Sequence, residues 1–330
     1  MHGRFIYLVD THWTREPGVP PHAGLWQQEL FDTHCERLEA AAVDLVVRLA
    51  PDFVIHGGDL CREATESDWH NARRVMERFG CPYYFVPGNH DISVRADRAR
   101  VAGIFGVPGG CLHFERKIGG LAFLFLDSTH VWRKDAVQTI ERDDPEFDPR
   151  NQKGIGVSAE QVEWFERTLA ESDPAAPVVV VTHCPLVGAA GYPVRFRKEK
   201  PVSASLPEWD SRWLVPIHDT WVMPLEQRRA ELLHLMRERG NVRAVLAGHQ
   251  HSAHISVVDG VVHCTTSAMS AWPFEMRLIE FDDRGMTIDT VQVAAPDLIE
   301  ASYRPEWGNE WVAGVSAYDR QATVRWDRSV

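Results

Sequence analysis

An apolar run, Tyr83-Tyr84-Phe85-Val86, stops at Pro87-Gly88 and gives way at once to Asn89-His90-Asp91. Consecutive apolar residues leave neither face for water, so the run reads as a buried strand. A strand ending this abruptly sets an amide oxygen, an imidazole and a carboxylate at a sheet edge, where open α/β sheets bind ligands. Four other apolar runs end alike. Phe5 to Val9 meets Asp10-Thr11-His12, and Phe53-Val54-Ile55 leads to Gly57-Gly58-Asp59. Pro177 to Val181 meets Thr182-His183, and Val242 to Ala247 meets Gly248-His249-Gln250-His251.

Helical patterns alternate with these strands, as in an α/β fold. One is expected over 34–50, opened by a capping box at Thr33-x-x-Glu36. Others are expected over 67–79, 95–104, 158–170 and 225–239, the last ended by Gly240. Residues 112–114 and 121–126 read as a strand pair joined through Gly119-Gly120. Residues 131–156 read as a charged loop, and strands are expected near 253–258, 261–265, 275–281 and 286–293. Residues 186–224 form an insertion long enough to suggest a functional loop. The organisation expected is one catalytic domain over 1–295, carrying that insertion as a cap, and a C-terminal extension over 296–330.

Charge excludes some partners. The chain of 330 residues has a net charge of −12, which argues against a nucleic-acid polymer or an anionic membrane. The six cysteines are scattered without CxxC pairing, as reduced thiols would be. The N-terminus runs directly into a strand, with no apolar segment long enough for a signal peptide or a membrane span. A cytoplasmic location is the expectation, and a homo-oligomer is compatible with it.

Carboxylate, amide and imidazole side chains suit divalent metals of intermediate hardness. Glycines at 58, 88 and 248 precede them and allow sharp turns free of Cβ clashes. In Asp10-x-His12 and His249-x-His251, alternate residues share one side if the backbone stays extended. An acidic protein could then handle anions, because bound cations reverse the local sign of charge.

The five blocks, D-x-H, G-D, G-N-H-D, a strand-end His and G-H-x-H, resemble those of the calcineurin-like metallophosphoesterase superfamily. The style is nearest to bacterial class III cyclic-nucleotide and glycerophosphodiester phosphodiesterases. The resemblance implies a four-layer αββα sandwich of two mixed sheets flanked by helices. It implies two metal ions, Fe, Mn, Zn or Co, one held by Asp10, His12 and His251 and the other by Asn89, His183 and His249. Asp59 would bridge them, His90 would sit beside the scissile phosphate, and Asp91 would orient His90. The implied reaction is hydrolysis of a small-molecule phosphodiester by hydroxide held between the metals. Alternatives are a phosphomonoesterase with the same site, or an inactive protein-binding scaffold. The tyrosine ligand of purple acid phosphatases is replaced here by Arg62, and Cys184 stands where many relatives have a second histidine.

Other residues carry blander readings. His56 reads as a packed core histidine, His130 as a loop residue, and His254 and His263 as structural. His22 and His218 lie in loops, and Arg195 to Lys200 reads as a solvated run. Trp272-Pro273-Phe274 could stack on substrate or pack internally. The tryptophans between 209 and 221 suggest a cap near the site.

Overall fold

In the computed structural model of the chain, the described residues are 1–14, 26–133, 139, 144–145, 152–187, 226–303, 313–314 and 317–327. The body of the predicted 186–224 insertion lies outside them, as do His22, His218, Arg195 to Lys200, Trp209, Trp213 and Trp221.

Two six-stranded mixed sheets carry the fold. The first joins β1 (Gly3–Leu8), β2 (Phe53–His56) and β3 (Tyr83–Phe85) in parallel. Antiparallel β12 (Glu275–Phe281), β13 (Gly285–Gln292) and β14 (Gln321–Arg325) extend it beyond β1. The second runs β10 (His254–Val258), β11 (Val261–Thr265), β9 (Val242–Ala247), β8 (Val178–Thr182), β5 (Leu121–Leu126) and β4 (Phe114–Ile118). Its four middle strands are parallel and its two edge strands antiparallel.

The period-2 alternation of each central strand sorts its side chains into layers. In β1, Phe5 and Tyr7 face the second sheet, while Ile6 and Leu8 face helices. In β5, Leu121, Phe123 and Phe125 point into the same inter-sheet core, and Ala122, Leu124 and Leu126 point outward. The outer face of the first sheet packs against α1 (Trp26–Leu49), α2 (Glu66–Glu77), α3 (Arg95–Phe105) and α6 (Pro296–Ser302). The outer face of the second packs against α4 (Ala159–Glu171) and α5 (Glu226–Arg239). The αββα sandwich is therefore the architecture expected.

Several helix ends follow local chemistry. Thr65 Oγ1 accepts from the Asp68 amide at the start of α2, and Ser158 Oγ accepts from Gln161 at the start of α4. Gly106 and Gly240, both left-handed, end α3 and α5.

Three expectations change. Helix α1 begins at Trp26, so Thr33 lies within it and does not cap it. The predicted 131–156 loop contains a two-stranded hairpin, β6 (His130–Arg133) with β7 (Gln152–Gly156), closed over Val131, Ile155 and Cys184. Its strands are too short, and too poor in apolar residues, to stand out as a pattern. The stretch after residue 295, expected only as a C-terminal extension, supplies α6 and the edge strand β14.

The inter-sheet core is aromatic. Phe123 is fully buried, edge-on to Phe5 at 5.5 Å and to Phe53 at 5.8 Å between ring centroids. Replacing it by alanine should cost about 3–5 kcal/mol, because a rigid ring cluster collapses poorly into the void. The check is urea unfolding, with a lower midpoint at an unchanged m-value.

Candidate dimetal site

The site forms where the C-terminal ends of the parallel strands converge. Past β1 and β2 the two chains remain zipped: the amides of Asp10, His12 and Trp13 donate to the carbonyls of Gly58, Asp59 and Leu60, at 2.9, 3.0 and 2.7 Å. Asp10, His12, Asp59, His249 and His251 all take left-handed backbone conformations, with φ between 47° and 69°. This corrects the extended backbone expected for the two alternate-residue pairs. The side chains of each pair do meet at one site, but turns rather than pleats aim them there.

Six of the seven predicted ligands fall into two groups. Asp10, His12, Asp59 and His251 offer ligand atoms within 4.8 Å of one another, as do Asp59, His183 and His249. Asp59 belongs to both. Its Oδ1 accepts from the His90 amide at 2.8 Å, while its Oδ2 lies 3.8 Å from His12 Nε2 and 3.4 Å from His183 Nε2. Asp10 is divided alike: Oδ2 accepts from the His249 amide at 3.0 Å, and Oδ1 lies 3.5 Å from His251 Nε2.

The seventh residue, Asn89, sits between Gly88 and His90. A Cβ at Gly88 would come within 2.1 Å of Asp59 Oδ1, so only glycine lets the two loops approach this closely. Asn89 Oδ1 is buried with no hydrogen-bond partner among the described residues. An orphaned buried amide oxygen costs free energy unless something accepts it. A cation would.

The donor set fits metal ions in other ways. His183 Nδ1 donates to the Gly57 carbonyl at 2.9 Å, so in the neutral ring Nε2 carries the lone pair and faces Asp59. Ring nitrogens also confront each other, His183 Nε2 and His249 Nδ1 at 3.2 Å, and His12 Nε2 and His251 Nε2 at 3.4 Å. These nitrogens and the carboxylate oxygens converge as donor atoms on the space a cation would fill.

Burial opposes ionisation of Asp10 and Asp59, yet facing histidines hold both below the usual carboxylate range, His251 foremost for Asp10 and His183 for Asp59. Burial lowers His183, but Asp59 overrides it and raises it to about 9. Burial, then the neighbouring His90, takes His12 down to about 3.

Asp91 does not do what was expected of it. Its Oδ1 accepts from the Cys61 amide at 2.9 Å, and its Oδ2 from the amides of Gly88 at 2.8 Å and Leu60 at 3.2 Å. It therefore ties the Asp59 loop to the Asn89 loop. Burial, and next the Asp59 charge, push its carboxyl up to about 7, while the three amide donors pull downward. His90 is oriented by the Arg62 carbonyl, which accepts from Nδ1 at 2.8 Å, and its ring lies edge-on to His12. A backbone carbonyl has no residue signature, so sequence reasoning could not find this partner. The Gly57 carbonyl behind His183 escaped notice for the same reason.

The remaining candidates resolve simply. His56 is a core histidine: Nδ1 accepts from the Gly58 amide at 3.1 Å and Nε2 meets Thr11 Oγ1 at 2.9 Å. Burial takes it down to about 3. Cys184 is buried with Sγ 3.9 Å from the Ser128 carbonyl, and His263 is buried within β11. His130 lies 3.4 Å from Asp127 at the end of β5, and His254 pairs with Asp319 at 3.0 Å. Phe274 belongs to the helix-facing core, while Trp272 is partly exposed and packs on Tyr303.

Residues 10–253 match the model of the calcineurin-like phosphoesterase family, and the chain belongs to that family. A relative from Synechococcus sp., named a probable cyclic nucleotide phosphodiesterase, is 22% identical over 218 residues. The match spans 66% of this chain and 64% of that relative. Among solved structures, a dimetal phosphatase from Danio rerio shares the fold with a TM-score of 0.60 at 14% identity, over 98% of this chain and 99% of that one. A purple acid phosphatase from yellow lupin matches at 0.50 and 15%, over 89% of this chain and 52% of that one.

Asp91→Asn should lower thermal stability and metal uptake together. An amide NH₂ would then face a backbone N–H, a mismatch worth about 1–3 kcal/mol. The measurement is a thermal melt beside metal content by mass spectrometry. Unchanged metal content with an altered pH–rate profile would restore a direct role on His90.

Proposed function

We propose that this chain is a dimetal phosphoesterase whose preferred substrate is a small-molecule phosphodiester. The observation that carries the reading is Asp59, whose Oδ2 stands between two sets of imidazole nitrogens while Oδ1 is pinned by the His90 amide. One cation would be held by Asp10, His12, His251 and Asp59, and the other by Asn89, His183, His249 and Asp59. Such a pair supplies Lewis acidity toward the phosphoryl oxygens and lowers the pKa of water. Mixed nitrogen and oxygen donors suit Fe, Mn, Zn or Co.

His90 handles the leaving group in this reading. With Nδ1 donating to the Arg62 carbonyl, Nε2 bears a proton only in the imidazolium. That proton is the one to pass to the departing oxygen. The edge-on contact with His12 fixes the ring, so Nε2 need not be recruited during the reaction.

The preference for diesters draws support from the Synechococcus relative and remains separate from the family assignment. The complete ligand set argues against an inactive scaffold, since loss of ligands marks such proteins. All six cysteines are free thiols, which supports a reducing, cytoplasmic setting. Among the described residues, no helix is long and apolar enough to cross a membrane.

A panel of metal-supplemented assays tests the reading. Cyclic nucleotides, glycerophosphodiesters and bis(p-nitrophenyl) phosphate should turn over with higher kcat/KM than the matching monoesters. Higher values for the monoesters would make the protein a phosphomonoesterase. Asn89→Ala and His183→Ala should each abolish turnover and lower metal content below two ions per chain while the far-ultraviolet dichroism stays unchanged. Full turnover by either variant would refute the ligand assignment.

His90→Ala should lose about 10²-fold or more in kcat toward alkoxide leaving groups. The loss should be much smaller toward p-nitrophenoxide, which departs without a proton. Equal losses for both would assign His90 to phosphate binding instead.

A further inference from the structure

The C-terminal segment folds back onto the loop that carries the last two histidines. Asp319 is buried, and a single oxygen of it, Oδ1, accepts from His254 Nδ1 at 3.0 Å and from the Ile255 amide at 3.1 Å. These residues lie three and four positions after His251. Gly314 packs against the same point, where a Cβ would come within 2.5 Å of Asp319 Cβ and 3.4 Å of the Ala253 carbonyl.

Asp319 is itself anchored. Arg277, on β12, is 1% exposed and donates to five neutral oxygens. Two are the backbone carbonyls of Asp319 at 2.9 Å and Arg320 at 3.2 Å. A third is the Thr265 carbonyl on β11, directly opposite His254 in the strand register. The others are the hydroxyls of Thr266 and Thr290. Arg320 in turn grips both oxygens of Glu275 and donates to the Ala313 carbonyl at 2.9 Å. One guanidinium thus joins the two sheets and the C-terminal segment at the end of the sandwich where His254 begins β10.

The two ends of the histidine loop are held differently. His249 is fixed from within the site, by its own amide on Asp10 Oδ2 and by the Gly248 amide on the His183 carbonyl at 2.9 Å. The His251 ring also faces Asp10, at 3.5 Å from Oδ1, but its backbone is followed by three residues that run to the Asp319 anchor. Both histidines are left-handed, with φ of 69° and 50°. A histidine pays a steric cost there that its surroundings must offset.

We propose that Asp319 is a positioning residue: it latches the exit of the loop through His254 and Ile255 and so keeps His251 aimed at the cation shared with Asp10 and His12. The inference rests on the dimetal reading above. It separates the two cations, because the latch acts on His251 and not on His249. It also makes Gly314 and Asp319 part of the working site.

The test is Mn²⁺ titration of the full chain, read by bound-metal stoichiometry and by electron paramagnetic resonance, which distinguishes an exchange-coupled pair from a single ion. Wild type should take up two coupled Mn²⁺. Asp319→Ala should keep one tightly and bind the second about tenfold or more weakly, the usual scale for losing a group that orients a ligand. Asp319→Asn retains an oxygen at the Oδ1 position and should restore the coupled pair. His254→Phe removes one of the two bonds, keeps the bulk, and should weaken the second ion to a smaller degree. It decides the matter if Asp319→Ala does not fold. Two coupled ions at wild-type affinity in folded Asp319→Ala or His254→Phe would overturn the latch. Equal weakening of both ions would overturn its selectivity. A wild-type chain that bound none of Mn²⁺, Zn²⁺, Co²⁺ and Fe²⁺ would remove the dimetal reading, and the latch with it.

Discussion

Asp59 is divided between backbone and site, and the rest of the centre depends on that division. The His90 amide holds Oδ1, leaving Oδ2 between His12 and His183. A carboxylate fixed at one oxygen presents the other in a defined direction without spending rotamer entropy when a ligand arrives. Its approach to the Asn89 loop is close enough that Gly88 tolerates no side chain. Asp91 then sews the two loops together through three amides. Two strand ends of the first sheet thereby become one rigid unit, against which His183 and His249 from the second sheet can close.

The candidate ligands are strained into place. Five of them occupy left-handed backbone conformations, each costing about 1 kcal/mol or more for a residue with a Cβ. Asp and His tolerate the region better than branched residues do, which is one reason these types serve here. The extended ladder between residues 10–13 and 58–60 holds the first pair, and Asp10 holds His249. Electrostatics adds a second tension. Buried carboxylates draw protons toward histidines that burial alone would keep neutral, His183 above all, while neighbouring imidazoles oppose this. A cation would answer the demand of the carboxylates and the ring nitrogens together.

Much of this was legible without coordinates. Central strands buried on both faces leave long apolar runs, so β1, β5, β8 and β9 stand out, and polar residues at their ends stand out against them. The ligand residues carry their chemistry in their side chains, so residue type and order were enough to nominate them. What escaped was whatever works through the backbone or through remote pairing. The carbonyls of Arg62 and Gly57 set two histidine rings and have no letter in the sequence. The pairing that the resemblance implied, Asp91 with His90, gives way to backbone partners for both residues, three amides for Asp91 and the Arg62 carbonyl for His90. The 130–156 hairpin and strand β14 were missed because short edge strands lack periodicity.

The order of five polar strand ends, by itself, determined the family and therefore the αββα plan and the seven candidate ligands. Hydrophobic periodicity is a local property, and so is the identity of a donor atom, so both can be read along the chain. Only the tertiary structure decided that left-handed turns aim the donors, that Asp91 joins loops instead of serving His90, and that Asp319 reaches back across the sheets to the histidine loop. Those outcomes depend on contacts between residues up to more than two hundred positions apart, such as His12 with His251. No local pattern encodes them, because each is set by where the closing of two sheets brings the strand ends.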